Sequence, residues 1–317
     1  MSKKLNTKSL LVITIVLAVI LLLSKYQSEK SENTFREEFI KIDTSSVQQF
    51  LIYPKAEKGK EIKITRTKTG WELQNDKVKT FADSSAVRSL IANFADMKSL
   101  SLGAQNKEGW NDLQVSDTTG TRLKIICKDK SYEIMVGKFG YNSASRNGIS
   151  YVRHVSEEAT YAVGGFLSLN VNQGFNAWRL KTFIKGNKNN WTSLTYSYPG
   201  DSSFVLNRQN NSWKVNGAAT DSLFTDQYLS RISNLPCSEF ADDFSPASTP
   251  IYTLTIQGNN QLSPIVIRAY QDLNHKYVLN SSLNNDAYFS DAQGSLINAV
   301  FVSSNSFMKH AENKKKK

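Results

Sequence analysis

The stretch "NNSWKVNG" at residues 210–217 answers an earlier one, "KTGWELQN" at residues 68–75. In both, a polar turn leads to a tryptophan and then to alternating apolar and polar residues, the period of a half-buried strand. Working outward from the tryptophans, Ile62, Ile64, Arg66, Trp71 and Leu73 match Phe204, Leu206, Arg208, Trp213 and Val215 at a single offset of 142. Two β-hairpins of one plan are therefore expected.

Each hairpin is followed by an apolar stripe at helical spacing. Val87, Leu90, Ile91, Phe94 and Met97 predict a helix over 83–98, with Asp83 or Ser84 as its cap. Phe224, Tyr228, Ile232 and Leu235 predict a second, capped by Asp221 or Ser222 and ended by Pro236. More strands follow. "TRLKIICKDKSYEIMVGK" at 121–138 reads as a hairpin, and "IYTLTIQGNNQLSPIVIRAY" at 251–270 is its counterpart. "SYVRH" and "TYAVGG" then correspond to "KYVLN" and "AYFSD", setting Tyr151 against Tyr277 and Tyr161 against Tyr288. The expected fold class is α+β, with two tandem copies of a β-β-α-β-β-β-β module. Each copy is an antiparallel sheet with one packed helix. The modules are expected at 46–175 and 176–305, joined near "GFNAWRLKTFIKGNKNNW" at 174–191.

The front of the chain reads as an address. "SLLVITIVLAVILLL" at 9–23 has neither charge nor proline and follows Lys3, Lys4 and Lys8. Positive residues before an apolar run place that end in the cytoplasm. A basic stub at 1–8, a transmembrane signal anchor at 9–25 and a polar stalk at 26–45 are expected. They imply a single-pass protein of the bacterial inner membrane with its C-terminal body in the periplasm. A cleaved signal peptide is the alternative, although no small-x-small site follows the run. A basic tail at 306–317 closes the chain.

The charge balance argues against nucleic acid. The 39 basic and 28 acidic residues give +11, and without the seven lysines at 3, 4, 8 and 314–317 the remaining 9–313 carry +4. No arginine- or lysine-rich helix gathers that remainder. Cys127 and Cys237 allow one disulfide, which the spacing leaves open, and Cys127 alternates with Leu123 and Ile125 as a small core side chain would.

Motifs of catalysis are scarce. The three histidines, His154, His275 and His310, fall in no zinc-binding spacing, and there is no Gly-x-Ser-x-Gly elbow. "GGFLSLNVNQG" at 164–174 lacks the lysine of a phosphate-binding loop. The adjacent acids Glu37–Glu38, Glu157–Glu158 and Asp242–Asp243 point to opposite sides of extended chain and are expected to face solvent. No catalytic, cofactor or metal residues are therefore assigned. Trp71 and Trp213 are expected as core anchors first. Because they recur together with Arg66 and Arg208, these four residues are also the candidate contact surface.

The order of these features resembles the domain-of-unknown-function 4340 (DUF4340) family of bacterial envelope proteins. The resemblance rests on the short anchor, "GWELQ", the helix at 83–98, and "GWNDLQV" at 109–115, which stands where that family has a tyrosine-glycine-leucine motif. "LKIICKDKSYEIMVGK", "YVRHVSEEATYAV" and "WRLKTFI" follow in the family's order, covering roughly 46–300. The resemblance implies an accessory of ABC-type export systems, including those linked to gliding motility, and brings no catalytic residues. The resulting expectation is a non-catalytic, membrane-anchored envelope protein that binds protein partners and needs no cofactor. An exported carbohydrate- or peptidoglycan-binding module is the alternative. An envelope hydrolase is a third, which would require polar groups converging in a cleft.

Overall fold

The computed structural model describes residues 16–19, 37–143 and 146–313. In chain order the first strands are β1 (Glu38–Ile40), β2 (Val47–Tyr53), β3 (Ile62–Arg66), β4 (Trp71–Gln74) and β5 (Lys79–Phe81). After the helix Ser84–Ala92 come β6 (Met97–Ala104), β7 (Thr121–Cys127), β8 (Ser131–Asn142), β9 (Asn147–His154) and β10 (Thr160–Gly164). Then follow β11 (Thr182–Lys185), β12 (Trp191–Ser197), β13 (Phe204–Gln209), β14 (Ser212–Val215) and β15 (Ala218–Ala219). Beyond the helix Ser222–Ile232 lie β16 (Asn234–Pro236), β17 (Tyr252–Gly258), β18 (Ile265–Asp272), β19 (Lys276–Ser281) and β20 (Asn284–Ser290).

The described residues divide into two compact units. Unit 1 holds those up to Arg66 together with Ser85–Gly174, and unit 2 holds Thr67–Ser84 together with Phe175 onward. In unit 1 the antiparallel order is β1-β6-β10-β9-β8-β7-β2-β3. In unit 2 it is β15-β14-β13-β12-β17-β18-β19-β20, with β11 paired to β16 and β4 paired to β5. The order β10-β9-β8-β7-β2-β3 is thus repeated as β20-β19-β18-β17-β12-β13. The small pair β1·β6, with Ile40 opposite Met97, has its like in β11·β16, with Ile184 opposite Leu235.

Alternation explains the cores. In unit 1, Phe50, Ile52, Leu123, Ile125, Ile134 and Val152 are wholly buried, and Ile52 lies opposite Leu123, itself opposite Ile134. In unit 2 one row runs Leu206, Leu194, Ile256, Ile265 across four strands, all buried. Each such aliphatic side chain contributes about 1.5–3 kcal/mol relative to an exposed one. Gly137 sits where the β8·β9 register slips, and a Cβ there would stand 2.1 Å from the carbonyl oxygen of Leu113. Only glycine allows that approach.

Three expectations are corrected. The fold is mainly β, with 43% strand and 23% helix in large antiparallel sheets, and not an α+β pair of modules with one packed helix each. The physical reason lies partly in the helices, which are short. The first stops at Ala92, where the Asn93 side-chain amide donates to the Ser89 carbonyl (2.8 Å), and Met97 opens β6 instead of extending the helical stripe. Pro236 likewise closes β16 and not a helix, which ends at Ile232. Second, among the described residues no helix is long and apolar enough to cross a membrane, so the expected transmembrane helix is not part of the described fold. Apart from the helical residues 16–19, the anchor proposed over 9–25 lies outside the described residues, as do the stub and most of the stalk. Third, with no such helix, the single-pass inner-membrane placement, cytoplasmic at one end and periplasmic at the other, finds no support.

Candidate functional site

Unit 2 carries two concave surfaces of different chemistry. The first is built on the β13–β14 hairpin. Asn210 and Asn211 both have positive φ, 49° and 62°, the left-handed pair of a two-residue hairpin turn. That turn sets Arg208 directly opposite Trp213. Beside them the helical turn Lys188–Asn190 is fixed by Asn187, whose side chain accepts from the Asn189 amide at 3.0 Å. The helix Ser222–Ile232 supplies the far wall, its start held by Asp221 accepting from the Phe224 amide at 2.9 Å. Between these pieces lies a cleft of about 290 Å³, lined by Lys188, Arg208, Trp213, Thr220 and Asp226 among others.

The cleft is polar with one aromatic wall. Trp213 packs against the core of unit 2 yet remains half-buried. The Lys188 ammonium donates to the Asp226 carboxylate (2.5 Å) and to the Ser230 hydroxyl (2.7 Å). Arg208 donates through Nη1 to the Asn189 carbonyl at 2.8 Å, while its buried Nε has no acceptor.

The second surface is an aromatic groove of about 410 Å³ lined by Tyr198, Tyr252, Tyr277, Phe301 and Asn298 among others. Tyr198 and Tyr252 meet edge to face at 5.1 Å, and Tyr252 lies 5.5 Å from Phe301. The Tyr198 hydroxyl donates to the Val302 carbonyl at 2.8 Å, which fixes its ring. Burial pushes that phenol's pKa up, so it stays a neutral donor. Behind it, the wholly buried Tyr196 and Tyr228 hydroxyls lie 2.6 Å apart, and Tyr228 donates to the Val300 carbonyl at 2.6 Å.

The four expected contact residues part company. Trp213 and Arg208 share the cleft. Trp71 is only 6% exposed. Arg66 is occupied by the start of β2 and the turn before it, donating through Nε to the Val47 carbonyl (2.7 Å) and through Nη2 to the Thr44 carbonyl (3.2 Å). The paired acids Asp242–Asp243 are both exposed, as expected, and each also has a basic neighbour. Asp242 accepts from buried Arg179 at 2.8 Å, and Asp243 stands 3.2 Å from Nε2 of His275, whose Nδ1 meets Asp272 at 2.7 Å. Cys127 and Cys237 are both free. Among the described residues no group of three histidine, cysteine or acidic side chains is placed to hold a metal.

Sequence reasoning missed the groove and two buried arginines. Arg153 is 1% exposed and stacks 3.7 Å over the Trp110 ring, with Asp117 at 2.8 Å and the Val115 carbonyl also at 2.8 Å. Arg179 is equally buried, 3.5 Å over the Phe240 ring. Burial pulls both guanidinium pKa values down, and the aspartates oppose that shift. The available signal was weak: in "SYVRH" the arginine directly follows Val152, and in "NAWRLKTF" it stands between Trp178 and Leu180.

Two antiparallel sheets share one strand order, and the second carries a polar cleft and an aromatic groove. A family model described as a domain of unknown function, DUF4340, matches residues 71–255. The chain belongs to that family. The matched stretch is narrower than the resemblance over 46–300 suggested, and it takes in residues of both units. No curated protein and no solved structure matches the chain.

Proposed function

We propose that the chain is a non-catalytic binding protein whose ligand is an extended segment of a partner protein, received in the aromatic groove of unit 2. The observation that carries this reading is the half-buried cluster of Tyr198, Tyr252, Tyr277 and Phe301 around one concave surface. Tyrosine and phenylalanine are the side chains that give protein interfaces their anchoring contacts, because they offer large rigid area with few rotamers to fix. Grooves walled by aromatic rings suit extended, proline-containing segments in particular. Asn298 and Ser303 on the rim offer hydrogen bonds to a peptide backbone. An ABC-type export component is the partner class that the family resemblance favours.

The reading is tested by photo-crosslinking in the native cell. Benzoylphenylalanine placed at Tyr277 is expected to give one discrete adduct, and the same residue placed at the fully exposed Leu262 is expected to give none. Tyr252→Ala with Phe301→Ala, introduced beside the Tyr277 probe, should abolish the adduct while leaving thermal unfolding cooperative. Equal adducts from both positions, or none from the groove, would overturn the proposal.

A further inference from the structure

We infer that the cleft beside Trp213 is a binding site for a small acidic saccharide, a pyranose that carries a carboxylate. This surface is separate from the aromatic groove, and the inference stands or falls independently of it.

Three observations set the chemistry of the ligand. The first is the half-buried indole of Trp213 on the cleft wall. The C–H face of a pyranose ring is apolar and faintly positive, which matches the negative face of an indole ring. The second is that much of the remaining wall is hydroxyl and amide, from Asn211, Ser212 and Ser222, with the Thr220 hydroxyl donating to the Trp213 carbonyl at 3.1 Å. Such groups both donate and accept, as ring hydroxyls require, and an aliphatic ligand would leave them without partners.

The third observation is an imbalance of charge. Lys188 is matched by Asp226, but Arg208 forms no ion pair among the described residues. Its one donation goes to a backbone carbonyl, and its Nε is buried without an acceptor. A guanidinium carries five N–H donors, of which Arg208 donates through Nη1 to one backbone carbonyl, and a carboxylate is the group that fits a guanidinium edge through two parallel bonds. The sister residue shows what a closed version looks like: Arg66 has Nε on the Val47 carbonyl and Nη2 on that of Thr44. A cleft of about 290 Å³ accommodates a single hexose-sized ring and is too small for a folded partner.

The test is saturation-transfer-difference NMR on the full chain, with D-glucuronate, D-glucose, acetate and inorganic phosphate as separate probes. Glucuronate is expected to bind about tenfold more tightly than glucose, with acetate and phosphate failing to displace it at equal concentration. Arg208→Gln should reduce the preference to within about twofold while leaving glucose binding unchanged. Trp213→Ala should abolish transfer to both sugars, and Trp213→Phe, which retains a ring, should weaken it while preserving the fold. Equal binding of glucuronate and glucose, glucuronate transfer that survives Trp213→Ala in a folded protein, or displacement by acetate or phosphate would overturn the inference. The last result would make the cleft a simple anion site.

Discussion

Two stretches of this chain, Ile62–Gln74 and Phe204–Val215, have the same residue types at the same steps but different fates. In the first, tryptophan is buried and arginine closes a loop; in the second, tryptophan is half-buried and arginine keeps a donor to spare. In both, a capped helical turn precedes the strand beside the hairpin. Asp43 accepts from the Ser45 amide before β2, and Asn187 accepts from the Asn189 amide before β12. What differs is the arginine, which donates to the turn and to the strand after it through two nitrogens in one case and to the turn through one in the other. The two hairpins share a frame, and at the second the arginine closes less of it.

The most severe way to break this comparison is to remove the two tryptophans one at a time. Trp71→Ala should lower unfolding free energy by about 4 kcal/mol, the range for a buried tryptophan. Trp213→Ala should cost about 1–2 kcal/mol, since part of its surface is already solvated. Urea denaturation measures both, and equal losses would erase the distinction.

Alkali sharpens the contrast between the units. Burial raises the pKa of Tyr196, Tyr198 and Tyr228 in unit 2 above the ordinary value of 10.0. In unit 1, burial and then the Glu61 carboxylate push Tyr53 up to about 12. A raised folded pKa means the stabilisation is whole below the unfolded value near 10 and is lost as pH rises through the folded value. Unit 2, with three deeply perturbed phenols, should therefore begin to unfold first above pH 10. Hydrogen exchange resolved by segment would detect this, and Tyr228→Phe should alter the slope in unit 2 alone.

The buried arginines give a smaller effect. Arg179 has Asp242 and a long contact to Asn176, whereas Arg153 also donates to the carbonyls of Val115 and Val155. Asp242→Asn should thus cost about 2 kcal/mol, less than a fully buried pair because Asp242 is partly solvated. Asp117→Asn, on a carboxylate that is 79% exposed, should cost well under 1 kcal/mol. Arg66→Ala, which removes at least two donations, should cost about 1–2 kcal/mol, and Arg208→Ala, which removes one, about 0.5 kcal/mol. Thermal shifts in the opposite order would contradict the assignment of Arg208 to a ligand.

Period-two alternation made the strand pairs legible: Ile62, Ile64, Leu73, Phe204, Leu206 and Val215 are all buried where the pattern puts them. The stripe of Val87, Leu90, Ile91, Phe94 and Met97 is buried too, but its last members belong to a turn and to β6. Apolar spacing reports which side chains go inward, and it does not reveal where the backbone leaves the helix. Short strands such as β5, β15 and β16 escaped notice because two or three residues carry no period. The aromatic groove was illegible for another reason. Tyr198, Tyr252, Tyr277 and Phe301 come from separate parts of the chain, and only the sheet order gathers them.

The most direct test of unequal use of equivalent positions is fluorine NMR of the full chain with 5-fluorotryptophan at its five tryptophans, assigned by single substitutions. A soluble gadolinium chelate should broaden the Trp213 resonance strongly and leave the Trp71 resonance sharp. Equal broadening of the two, or broadening of Trp71 alone, would contradict the account.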